Sequence, residues 1–115
     1  FESHFKRNYI HVNDVSRCFL HCIKNFSSMK SNIFNVGLSN ANLSKKELCE
    51  KIKLFIKDLV IIESDIAKDV DQRNYIVSNK KIESTGFIPN NSIDDGIKEI
   101  IKGCKILKKN QFSNI

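Results

Sequence analysis

The sequence predicts a small α/β unit in which three main helices are joined by short strands, all within one domain spanning residues 1–115. Three observations carry this expectation. Apolar residues recur at helical spacing in three separate stretches. Ser-x-x-acid signals stand at the start of two of them. Between the helices lie apolar or alternating runs of strand length, too short to be helices.

Taken in order, Tyr9-Ile10-His11-Val12 alternates and predicts a first strand. Asn13 or Asp14 is placed to cap a helix from Asp14 to Phe26, whose Val15, Cys18, Phe19, Cys22, Ile23 and Phe26 form one stripe expected to be core. A polar loop follows through Ser27 to Asn32. Ile33 to Val36 predicts a second strand, ended by Gly37.

Ser44-Lys45-Lys46-Glu47 is a capping box, with Leu43 and Leu48 placed as the hydrophobic staple across it. It opens a helix from Lys45 to Lys57. Leu48, Ile52, Phe55, Ile56 and Leu59 recur along its inner face. Val60-Ile61-Ile62 predicts a short buried strand, Ser64 to Arg73 a polar loop, and Tyr75-Ile76-Val77 another short strand in which Tyr75 is expected to pack. A short helix from Asn79 to Ser84 should stop at Gly86, which can adopt the left-handed conformation while Phe87 reaches back to Ile82. Pro89 prevents continuation. Ser92 to Asp95 repeats the capping box before a last helix from Ile93 to Lys105, with Ile93, Ile97, Ile100, Ile101 and Cys104 on one face. The tail 108–115 is polar and expected to fray.

Composition bounds the function. The chain is 41% hydrophobic and 28% charged, as expected of a globular domain, and at 115 residues its core is small enough to profit from a neighbouring domain. A formal net charge of +6 points to anionic partners: nucleic acid, a membrane surface or a phosphorylated ligand. Most lysines alternate with acids, as on a solvated face; Lys102 to Lys109 is the one sustained basic run. No aromatic residues interleave with that run, so a nucleic-acid module using Lys102, Lys105, Lys108 and Lys109 is the alternative rather than the first reading. With no apolar stretch of spanning length and no signal-peptide pattern, a cytoplasmic location away from membranes is expected.

Cys18, Cys22, Cys49 and Cys104 have neither the density of a disulfide scaffold nor Cys-x-x-Cys spacing, and predict reduced core thiols. Cys18, His21 and Cys22 could share a helix face, but the cysteines lie on its apolar stripe and His21 between Arg17 and Lys24, so no metal site is expected. No glycine-rich phosphate loop, His-x-x-x-His pair or Gly-x-Ser-x-Gly turn is present. What remains is polar residues near strand ends: Arg7, the turn from Gly37 to Asn42, and Arg73. An arginine fork suits phosphate oxygens, although each arginine taken singly is better explained by a surface ion pair.

Arranged in order, these pieces resemble a known family. Arg7-Asn8-Tyr9-Ile10-His11-Val12-Asn13-Asp14-Val15 is similar to the Arg-Asp-(Tyr/Phe)-(Ile/Val)-x-Val-x-Asp-Val segment of extended short-chain dehydrogenase/reductase proteins, the nucleotide-sugar epimerases and dehydratases. Ile33-Phe34-Asn35-Val36-Gly37 resembles the family's Tyr-Asn-(Val/Ile/Leu)-Gly strand and turn, and Asp71-Gln72-Arg73-Asn74-Tyr75 its Asp-Arg-Arg-Tyr type of segment. Lys81-Ile82, Gly86-Phe87-Ile88-Pro89 and Gly96-Ile97 resemble its closing pattern.

The resemblance implies the C-terminal substrate-binding part of a Rossmann-type enzyme whose N-terminal half is absent. That half would carry the NAD-binding (or NADP-binding) turn and the Tyr-x-x-x-Lys; here Tyr9 is followed four residues on by Asn13 and Tyr75 by Asn79, so the chain alone is expected to be catalytically silent. It further implies a nucleotide-diphosphate sugar as ligand and a homodimeric complete enzyme. Arg7 and Arg73 match the family's phosphate-binding arginines, and Asn40 an asparagine that some dehydratases use nearby. Asn8 stands where the family has Asp. Asp14 is expected to act as a cap and Gly96 to allow close helix packing. A non-catalytic interaction module derived from the family is a further alternative.

Overall fold

The computed structural model describes residues 1–64, 66–68 and 70–107. The order of elements is β1 (Lys6–Asn8), α1 (Val12–Lys24), α2 (Phe26–Met29), β2 (Asn42–Ser44), α3 (Lys45–Phe55), α4 (Lys80–Glu83) and α5 (Ile93–Ile106). The fold is a small mixed α/β arrangement, and the frayed tail expected over 108–115 lies outside the described residues.

Both capping boxes form. Ser44 Oγ accepts from Glu47 N while Glu47 returns a carboxylate to Ser44 N, and Ser92 and Asp95 repeat the exchange at α5. Each box satisfies donors that the first helical turn cannot. Gly86 takes φ +87° beyond α4, and Phe87 and Ile82 are both buried in one apolar cluster.

The start of α1 differs from expectation. The helix begins at Val12, so the strand expected over Tyr9 to Val12 moves back to Lys6–Asn8. His11 is the N-cap, its Nδ1 accepting from Asn13 N at 3.1 Å. Asp14 is not a cap: it lies inside the first turn, fully buried. Its carboxylate accepts from Asn90 N and Asn91 N, each at 2.9 Å, from Asn91 Nδ2 at 3.0 Å and from Arg17 Nη1 at 2.6 Å. It thereby ties α1 to the turn that leads into α5. At the other end α1 stops at Lys24, where Asn25 leaves helical geometry at φ −107° and ψ 25°, and α2 replaces part of the expected loop.

The remaining expected strands are extended chain without ladders, for identifiable reasons. The two-stranded sheet is antiparallel, with Arg7 opposite Leu43. Asn42 places its side-chain amide where a third strand's backbone would be: Val77 N donates to Asn42 Oδ1 at 2.9 Å and Asn42 Nδ2 donates to Val77 O at 3.0 Å. Segment 75–77 therefore docks by a side chain. Segment 33–36 is held by Lys81 Nζ on Ile33 O and Asn35 Nδ2 on Ser78 O. Val60 and Ile62 are exposed, so the buried strand expected there does not form.

The core lies between α1, α2 and α4, where Cys18, Met29, Ile82 and Phe87 are buried and Cys22, Phe34 and Val36 pack against them. Burial, reinforced by Cys22 beside it, pushes the Cys18 thiol up to about 11, which suits an apolar filler of the core. The expected stripe is only half covered: Phe19, Ile23 and Phe26 are exposed, as are Ile100 and Cys104 of α5. Across the molecule α5 meets α3 through Lys51 and Asp94 at 3.5 Å and through Lys98 over the Phe55 ring.

Gly37 is buried against Asn8. A Cβ there would stand 1.6 Å from Asn8 Oδ1 and 3.1 Å from Asn79 Oδ1. Gly37→Ala must therefore expel the Asn8 side chain and break its bond to Leu38 O, 2.9 Å long. The expected loss is about 2 to 4 kcal/mol, the sum of overpacking and one part-buried hydrogen bond, read as a lower urea midpoint. An unchanged midpoint would refute the close approach.

Candidate functional site

The site is built from β1 and the segment that follows the polar loop. Arg7 projects from β1 with its side chain only 14% exposed. Its Nη1 donates to Lys6 O at 2.9 Å and its Nη2 to Asp71 O at 3.2 Å, while the guanidinium lies over the Tyr75 ring at 5.2 Å from the centroid. Tyr75 is therefore not packed away: it is 41% exposed and forms the platform beneath Arg7.

Arg73 is brought to the same place by a tight local turn. Its Nε donates to Asp71 Oδ1 at 2.6 Å and its Nη2 to Asp71 Oδ2 at 2.7 Å, a two-pronged pair. Arg7 Nη2 reaches that same Oδ2 at 3.3 Å. The two arginines thus converge on one carboxylate, one nearly buried and the other 73% exposed. The Arg73 side chain, opposed by partial desolvation and helped by its own backbone N–H and the charges of Arg73 and Arg7, holds the Asp71 carboxyl well below the usual carboxylate range.

The segment is tethered on both sides. Asn74 Oδ1 accepts from Lys6 N at 2.9 Å, and Tyr75 N donates to Lys6 O. Earlier in the chain Glu63 accepts from Ser3 Oγ at 2.6 Å and pairs with Lys46 at 2.5 Å. Asn8 does not orient Arg7; its amide donates instead to Leu38 O and fixes the turn between Gly37 and Ala41. Asn40 lies on that turn, exposed to solvent, and among the described residues no hydrogen bond or ion pair joins it to Arg7 or Arg73.

Other groups singled out by sequence have structural employment. His11 spends both ring nitrogens, Nδ1 on the cap of α1 and Nε2 on Glu99 at 2.5 Å; its ring faces Gly96, where a Cβ would come within 3.4 Å. His21 turns to Thr85 Oγ1 at 2.9 Å rather than to Cys18 and Cys22, and among the described residues no three His, Cys, Asp or Glu side chains gather as a metal site. Two mainly apolar clefts, of about 560 and 540 Å³, lie along α3 and α5, and neither arginine lines them. Lys102 and Lys105 are exposed on α5, whereas Lys108 and Lys109 fall outside the described residues.

The glycines do not fit a dinucleotide. Gly37 closes a bend, Gly86 a helix end, and Gly96 and Gly103 lie inside α5, so none opens a strand-to-helix phosphate cradle. No helix among the described residues is long and apolar enough to cross a membrane. A scan against models of known protein families matches none.

Proposed function

We propose that the chain is the nucleotide-sugar-binding C-terminal part of an NAD-dependent epimerase or 4,6-dehydratase of the extended short-chain dehydrogenase/reductase type, with catalysis supplied by an N-terminal Rossmann half outside this chain. One observation supports it above the others: Arg7 and Arg73, distant in sequence, meet on a single anionic group. Two guanidinium forks within reach of one carboxylate are a geometry suited to the adjacent phosphates of a diphosphate. The exposed Phe19 and Ile23 of α1 and Phe26 of α2 add weight, because a stripe at core spacing left in solvent is what a part that completes its core against another domain presents. That stripe equally favours a second reading, a non-catalytic interaction module.

Titration with a uridine diphosphate sugar separates the two. Binding in the millimolar range is expected, because phosphates left solvated on one side gain little, and it should weaken steeply with salt. The double variant Arg7→Ala/Arg73→Ala should abolish it while circular dichroism stays unchanged. Absence of binding at low salt, or binding indifferent to the double variant, overturns the diphosphate reading.

A further inference from the structure

Asp71 occupies the ground a ligand would need. Its Oδ1 takes Arg73 Nε and Arg73 N, its Oδ2 takes Arg73 Nη2 and Arg7 Nη2, and its backbone oxygen takes Arg7 Nη2 as well. Arg73 Nε and Nη2 and Arg7 Nη2 are thus already engaged by an internal anion.

We infer that Asp71 is a built-in competitor of the arginine pair: its carboxylate occupies both guanidinium groups, and an anionic ligand gains them only by displacing it. The inference rests on the reading of Arg7 and Arg73 as a phosphate clamp. Two guanidinium groups and one carboxylate leave one positive charge, so a monoanion that replaces Asp71 restores the same charge balance. It also loses the advantage of a competitor tethered two residues from Arg73. A diphosphate brings at least two charges and spans both forks, which a single carboxylate serves unequally: Arg73 is held at 2.6 and 2.7 Å, Arg7 at 3.3 Å.

Little apolar packing among the described residues opposes displacement. Asp71 is 39% exposed, and Ile66 and Val70 before it are almost wholly in solvent, so no packed side chain among these must move. The anchors, Glu63 on Ser3 and Lys46 and Asn74 on Lys6, lie outside the stretch that would shift. Acid does not substitute for the ligand, because the carboxyl stays ionised well below the usual range.

The test compares inorganic pyrophosphate with dimethyl phosphate, a monoanion, on the full chain, following the arginine Nε–H signals by NMR. The native chain should respond to pyrophosphate and not to dimethyl phosphate. Asp71→Asn keeps the shape and removes the charge; it should raise the affinity for dimethyl phosphate by about threefold to tenfold and for pyrophosphate by at least as much, because both must displace the same carboxylate. Asp71→Glu, which keeps the competing charge, should leave both affinities near native. If Asp71→Asn weakens pyrophosphate and gains nothing for dimethyl phosphate, Asp71 orients the arginines rather than competing for them, and the inference is overturned. If Arg7→Ala and Arg73→Ala leave pyrophosphate binding intact in the Asp71→Asn background, the clamp itself is wrong, a distinct result.

Discussion

Asp14→Ala is expected to cost about 3 to 5 kcal/mol, a large share of the about 5 to 15 kcal/mol that holds a domain of this size together. The residue is fully buried, and its carboxylate is the acceptor for two backbone N–H groups, an amide and a guanidinium. Alanine strands those donors and unhitches the turn at Asn90 and Asn91 from α1. Asp14→Asn, which keeps one acceptor and turns an NH₂ toward other donors, should fall between native and alanine. Urea titrations with a constant slope and a lowered midpoint are the expected result; a shift below about 1 kcal/mol would mean the donors find other partners.

The same carboxylate sets an acid limit. Burial alone would raise its pKa, but the Asn90 N–H, both Asn91 donors and Arg17 outweigh burial and bring it down to about 2. A folded-state pKa below the unfolded value means the unfolded chain binds the proton first. The stabilisation is therefore complete above about pH 4 and drains away as pH falls toward 2, amounting to about 2 kcal/mol. In Asp14→Ala that component of the acid dependence should vanish.

The parts of this fold legible in sequence are those settled within one turn of chain. Ser44 with Glu47, Ser92 with Asp95, and Gly86 before Phe87 carry their partners three or four residues away, and each forms. The strands were not legible, because a ladder needs a partner chosen by the whole fold. Asn42 fills that role for Val77 with a side chain, which no alternation of apolar residues announces. His11 caps α1 although histidine is not among the favoured caps, since Glu99 and Gly96, far along the chain, fix its ring. Helical spacing identifies the stripe Phe19, Ile23 and Phe26, yet among the described residues nothing covers it. At the site, resemblance drew attention to Arg7 and Arg73. The carboxylate that joins them was read only as part of a motif, although an acid two residues before an arginine is the local signal that could have exposed it.

In the enzyme proposed for this chain the two arginines should not be equivalent. Arg7 is preorganised: its side chain is 14% exposed, held by Lys6 O and Asp71 O, and braced on Tyr75. Arg73 is 73% exposed and, among the described residues, held by its paired bonds to Asp71. A fork already ordered before the ligand arrives loses less entropy in binding it. Arg7→Ala is therefore expected to raise KM toward a hundredfold and Arg73→Ala nearer tenfold, corresponding to about 3 and about 1.5 kcal/mol of charge-assisted hydrogen bonding, with kcat little changed in either. Lysine should separate them further. At position 73 a flexible ammonium in solvent can still neutralise a phosphate and recovers part of the loss. At position 7 it cannot satisfy Lys6 O, Asp71 and the Tyr75 face together, so Arg7→Lys should behave almost as badly as alanine. Equal KM effects at the two positions, or a fall in kcat with KM unmoved, would show that the arginines do not divide the diphosphate in this way.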